Sequence, residues 1–143
     1  MASQKTYLVP VDFSKTSGRA LNYAIKLARE TGAKLLLVHV ITDSPAYIPI
    51  NLRDRIYSGL EDRAERKLAK LMRDKKAEDL NQRTVIVQDG NPARFVSDQA
   101  RKSRVSMIVM GSHGRTGVER FILGSVAEKT VRYAQCPVLI VKR

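Results

Sequence analysis

Residues 111–125, GSHGRTGVERFILGS, set glycines beside polar and basic side chains directly after the apolar run VSMIVM. Glycine permits unusual backbone angles and close approach of another molecule to the main chain, at the cost of weakening any regular element it interrupts. Ser125-Val126-Ala127-Glu128 has capping-box spacing, a serine at the cap and a glutamate three positions later, which predicts a helix beginning at Ser125 with Gly124 just before it. The first amides of such a helix carry partial positive charge suited to phosphate oxygens. Gly111 and Gly114 let the preceding loop curl until its own N–H groups converge on the same anion. The chemistry predicted is therefore phosphate binding by main chain, with the Ser112 and Ser125 hydroxyls as further donors. Arg115, one residue past Gly114, is a weaker candidate for a phosphate clamp, because exposed arginines usually only solvate a surface. The spacing matches neither Gly-x-Gly-x-x-Gly nor the loop ending in Gly-Lys-Ser/Thr. A plainer explanation, glycines that only turn a loop and cap a helix, stays open.

A second group, Pro10-Val11-Asp12 with Phe13 and Ser14, follows an apolar run near the start. Asp12 could hydrogen-bond a ribose or hold a metal-bound water, or it could cap the following turn. His113 invites a catalytic reading because histidine as a residue type serves in acid–base chemistry, but no serine, cysteine or carboxylate at recognisable spacing completes a nucleophilic or acid–base set, so no catalytic residue is assigned. His39, within a buried strand, reads as a satisfied histidine at a strand edge, and Cys136 as an ordinary buried residue beside a strand. These residues show no metal-ligand spacing, and a lone cysteine forms no internal disulfide.

The elements that must position these groups alternate along the chain. Apolar strands are expected at 5–12, 34–41, 83–88, 105–110 and 137–142. A helix is expected over 15–31, closed by Gly32, and a longer one over about 53–79 with an apolar stripe of Ile56, Leu60, Ala64, Leu68, Leu71 and Met72. Asn91 caps a third helix with Pro92 in its first turn, and the fourth follows Ser125. Strand–helix alternation of this kind implies parallel strands joined by right-handed crossovers, an α/β doubly wound open sheet with helices on both faces. Ligands of such sheets bind beyond the carboxyl ends of the strands where the order reverses. Both Pro10-Val11-Asp12 and Met110-Gly111 fall at strand carboxyl ends, although periodicity does not fix the strand order.

Composition narrows the class. The 143 residues suit a single domain, 1–143, that buries a core without staples. No apolar run reaches membrane-spanning length and the N-terminus has no secretory pattern, so no membrane association and a cytoplasmic location are expected. The net charge of +12 is uneven: residues 101–143 hold nine Lys or Arg against two Glu, whereas 53–83 mix ten basic with seven acidic groups. The field suits a nucleotide, a nucleic acid or an acidic partner. Nucleic acid is disfavoured, because interleaved aromatics and a recognition-helix motif are missing.

Gly111-x-x-Gly114, nine residues, then Gly124-Ser125 resembles the ATP-binding signature of the universal stress protein family. The surrounding VMGSHGRTGVERFILGSVAEKTVRYAQCPVLIVK is similar to that family's C-terminal half, and YLVPVDFSKTSGRALNYAIKLA to its first strand and helix. The resemblance implies a five-stranded parallel sheet in the order 3-2-1-4-5, with Asp12 and Gly111 flanking the switch point. It implies adenosine near Val11, Asp12 and the main chain at Val40, with Pro10 and Met110 at the flanking strand ends. It places phosphates against Gly111, Ser112, Gly114, Gly124, Ser125 and Val126. It further implies a homodimer through antiparallel pairing of strand five, with Val138, Leu139, Ile140 and Val141 at the interface, and so protects an otherwise exposed apolar edge. The expected function is a nucleotide-dependent regulatory or stress-response module holding ATP, with Mg2+ or Mn2+ bridging the phosphates. ATP hydrolysis as the main task is the alternative; without an evident general base it would be slow.

Overall fold

The computed structural model describes residues 3–42, 47–88, 90–113 and 123–142. Its strands are β1 (Thr6–Pro10), β2 (Lys34–Ile41), β3 (Asn81–Gln88), β4 (Met107–Gly111) and β5 (Val138–Val141). Its α-helices are α1 (Lys15–Thr31), α2 (Arg53–Asp74), α3 (Pro92–Lys102) and α4 (Ser125–Tyr133). The five strands form one sheet in the order β3-β2-β1-β4-β5, all neighbours parallel. The α/β doubly wound fold is thus the one expected, including the strand order.

Side chains alternate across a strand, so each apolar run must cover two faces. Tyr7, Val9, Leu35, Leu37 and Val109 pack on one face with Leu21, Ala24 and Ala28 of α1 and Leu68 and Met72 of α2. Leu8, Leu36, Val38, Ile108 and Met110 pack on the other with Val96 and Ala100 of α3 and Ala127 of α4. In the α2 stripe Ala64, Leu68 and Met72 are buried, while Ile56, Leu60 and Leu71 are half-buried. Cys136, expected to be buried, is also half-buried; desolvation pushes its thiol pKa up.

Ends of elements differ from expectation where local hydrogen bonds outweigh the apolar pattern. Helix α2 stops at Asp74 rather than near 79: Lys76 takes a left-handed φ of 52° and the Ala77 amide donates to Met72 O at 3.0 Å. A short 3₁₀ turn, Glu78–Leu80, follows. Strand β3 begins two residues early through a bulge, since Leu35 faces Asn81 and Leu36 already faces Arg83. Gly32 does close α1 with φ 71°, donating its N–H to Ala28 O. Asn91 caps α3, its side chain accepting from the Arg94 amide at 3.2 Å.

Ser125 is not a cap. Gly124 is extended at φ −60°, ψ 160°, and its carbonyl accepts the first helical bond, from the Glu128 amide at 2.9 Å. Ser125 is therefore the first residue inside α4, one position too late for a capping box. Glu128 instead pairs with Arg132 at 3.1 Å along the same helix.

Candidate functional site

Strands β1 and β4 lie side by side, with Tyr7 opposite Met107 and Leu8 opposite Ile108, and their carboxyl ends open onto one cavity of about 550 Å3. Pro10, Val11 and Asp12 form one wall, Val40 and Thr42 at the end of β2 another, and Met110, Gly111, Gly124, Ser125 and Val126 a third. Nine of the residues predicted from sequence thus meet in one place. Gly114 and Arg115 lie outside the described residues. Ser112 does not line the cavity: it is buried, its Oγ is 3.0 Å from His113 Nδ1 and its carbonyl accepts from the Gly124 amide at 2.7 Å. That last bond ties the end of β4 to the start of α4, so Ser112 fixes the distance between two walls rather than presenting its hydroxyl.

Among the described residues no side chain caps the α4 terminus, and Gly124, Ser125, Val126 and Ala127 all line the cavity. The first amides of a helix have no partner within it, so an uncapped N-terminus facing a cavity is an anion-binding arrangement. The N-terminus of α1 differs: Ser14 Oγ accepts from the Ser17 amide at 3.1 Å.

Asp12 serves the local turn as well as the cavity wall. Its Oδ1 accepts from the Ser14 amide at 2.9 Å, and its own amide donates to Ser17 Oγ at 3.2 Å. The two readings of this carboxylate are therefore compatible, since the turn fixes its direction. Between Asp12 and Ser14, Phe13 holds φ at 65°, a left-handed angle costly for a bulky side chain. Its ring meets His39 at 4.9 Å between centroids, and Lys67 Nζ of α2 lies 4.1 Å from the ring centroid. His39 is buried, and because Val11 O can only accept, its Nδ1 carries the proton that makes their 2.6 Å bond. His39, read from sequence as a satisfied histidine, thus has a hydrogen-bond partner as expected and also lines the cavity.

Gly111 has a packing reason of its own. A Cβ there would come 2.9 Å from the carbonyl carbon and oxygen of Thr16, and the Thr16 hydroxyl donates to His113 O. The glycine lets α1 close against β4, so at this position the plainer structural explanation holds alongside any ligand contact.

Sequence reasoning missed the other nine lining residues, among them Ser17, His39, Thr42, Pro92, Val96 and His113. Pro92 and Val96 come from α3, whose approach depends on tertiary packing and leaves no motif. Among the described residues no group of His, Cys, Asp and Glu could hold a metal ion, and Asp12 is the one carboxylate in the lining. The oxygen donors Asp12, Ser17, Thr42 and Ser125 suit a hard cation carried in on phosphates rather than one caged by protein.

The family model described as the universal stress protein family matches residues 4–142. The chain is 35% identical over 144 residues to the universal stress protein YxiE of Bacillus subtilis, covering 94% of this chain and 97% of that protein. Among solved structures, the universal stress protein UspA from Lactobacillus plantarum superposes with a TM-score of 0.77 at 28% identity, covering 99% of this chain and 100% of the other. A universal stress protein solved in complex with cAMP superposes with a TM-score of 0.61 at 25% identity, covering 98% of both chains.

Proposed function

The chain belongs to the universal stress protein family, and from that premise we propose that it is a single-domain, nucleotide-dependent regulatory module that holds ATP in the β1–β4 cavity. The observation that carries the reading is the α4 N-terminus, without a side-chain cap among the described residues, opening onto a cavity whose opposite wall is Pro10, Val11 and Asp12. One end offers main-chain amides to an anion, and the other offers an apolar wall with one carboxylate to a nucleoside. A structural relative that binds cAMP supports an adenine nucleotide as the occupant.

In this reading Val11 and Val40 flank the base, Asp12 accepts from ribose, and Gly111, Gly124, Ser125 and Val126 give N–H groups to phosphate; Gly114 and Arg115 complete the phosphate loop. Asp12, Ser17, Thr42 and Ser125 are the oxygen donors that would face Mg2+ or Mn2+, and the chemistry the ion would supply is neutralisation of phosphate charge. The chain's own contribution is binding and orientation. Asp12 is committed to the Ser14 amide through one oxygen, and no other carboxylate of the described residues lines the cavity to position water, so turnover is slow.

The same reading pairs two chains through β5. Hydrogen bonds from Ile108 N to Pro137 O and from Ser112 N to Val141 O turn the odd-numbered peptide groups of β5 toward β4. Successive groups alternate, so Val138 and Ile140 present their N–H and C=O to the open edge, and all four side chains from Val138 to Val141 are only half-buried.

The test is to denature freshly purified protein, identify any released nucleotide by mass, and measure steady-state hydrolysis on the same preparation. ATP or ADP with slow turnover is expected. Fast turnover lost in Asp12→Asn would make hydrolysis the main task.

A further inference from the structure

Helices α3 and α4 meet on the face of the sheet that carries Leu8, Val38 and Ile108, and their outer surfaces form a second cleft of about 360 Å3. Arg94, Ser97, Asp98 and Arg101 of α3 line it opposite Arg132 and Tyr133 of α4, and none of them lines the β1–β4 cavity. Three guanidiniums from two helices therefore converge against one carboxylate of the lining. That carboxylate offsets only one of them: Asp98 Oδ1 makes a loose ion pair with Arg101 Nη2 at 3.9 Å, beyond hydrogen-bond distance. Arg132 bonds Glu128 on its own helix at 3.1 Å. Arg94 has no carboxylate partner among the described residues; its guanidinium carbon lies 5.1 Å from the centroid of the Tyr133 ring.

Arg94 differs in this from Lys70 of α2, which meets Asp74 at 2.7 Å within one helix. The cation–π contact with Tyr133 restrains the Arg94 side chain while its N–H fork remains available, so less rotamer entropy is lost when the fork engages an anion. A planar fork matches two oxygens of a phosphoryl group, and further guanidiniums suit its second charge. We propose that the α3–α4 cleft is a second anion site that takes a phosphate monoester dianion, with Arg94 as anchor and Arg101 and Arg132 closing on the same group. The phosphoryl group has two possible sources, a small free phosphate or a phosphorylated side chain of a protein partner.

The experiment follows the arginine side-chain N–H resonances of the full chain by NMR at constant ionic strength. Arg94 and Arg132 do not line the nucleotide cavity, where Arg115 is the proposed phosphate arginine, so their two signals report the cleft independently of ATP binding. Inorganic phosphate should move the Arg94 and Arg132 signals saturably where chloride does not. Arg94→Gln and Arg132→Gln, both exposed substitutions that leave the core intact, should each weaken that binding about tenfold. A short glycine-flanked phosphoserine peptide distinguishes the sources: binding at least about tenfold tighter than inorganic phosphate identifies a phosphorylated partner, and equal or weaker binding identifies a free phosphate. Signals that never saturate, or affinity unchanged in both variants, would overturn the proposal.

Discussion

Phe13 gathers several constraints in one residue: a left-handed backbone angle, a ring against His39, and Lys67 above that ring. Its two roles can be separated by substitution. Phe13→Ala loses the packing and keeps the strained angle, whereas Phe13→Gly loses the packing and relaxes the angle. Urea unfolding should therefore find Phe13→Gly more stable than Phe13→Ala by about 1 kcal/mol; equal stabilities would mean the angle carries no strain. Gly111 makes the opposite prediction, because Gly111→Ala drives a methyl into the Thr16 backbone rather than into a flexible side chain. A loss of about 1–3 kcal/mol is expected in the same assay, and an unchanged midpoint would remove the packing role. At this scale the sequence was partly legible. Asp12, Gly111 and Gly124 stood out because strand ends and glycines are written in residue type. The burial of Ser112 and the contact between His39 and Val11 O depend on neighbours distant in the chain, which spacing does not reveal.

Elements were read best where a stop signal is chemical. Gly32 ended α1 and Asn91 began α3 as expected. Helix α2 ended early because Lys76 adopts a left-handed angle without a glycine to announce it. The misplaced cap at Ser125 had the same origin, since a serine just inside a helix and one at its cap look alike in sequence. The turn after α2 is held by charge: Arg29 of α1 meets Asp79 with two bonds, 2.9 and 3.1 Å, and Lys34 Nζ donates to Asp79 O at 2.6 Å. The hydrogen bond from Arg29 holds the Asp79 carboxyl below its ordinary pKa. A carboxylate lowered in the folded state adds stability above its unfolded pKa and loses it as pH falls through the folded value. Arg29→Met should accordingly lower the melting temperature slightly at neutral pH, the difference shrinking under acid to what the bond from Arg29 Nη2 to Lys76 O at 2.8 Å leaves; a difference unchanged at low pH would assign the effect to that bond and to packing rather than to the ion pair. For β5, Ile140→Pro removes a donor from the open edge while sparing the bonds to β4. Sedimentation should show a wild-type dimer and a folded Ile140→Pro monomer, and a monomeric wild type would refute the paired edge.

Across the whole molecule, alternation of strands and helices predicted one doubly wound sheet, and the sheet has the order that puts β1 beside β4. That adjacency makes two separate sequence features, Pro10-Val11-Asp12 and Met110-Gly111, parts of one cavity. The order itself was legible only through family likeness, because a parallel strand buried on both faces shows no preference for a neighbour. No helix among the described residues is long and apolar enough to cross a membrane. The positive charge of the last third, once mapped, falls partly on the α3–α4 cleft, away from the β1–β4 cavity. The most direct measurement of the central claim is a calorimetric titration of nucleotide-free protein with ATP. Saturable heat at one ATP per chain is predicted, and a titration without saturable heat would contradict it.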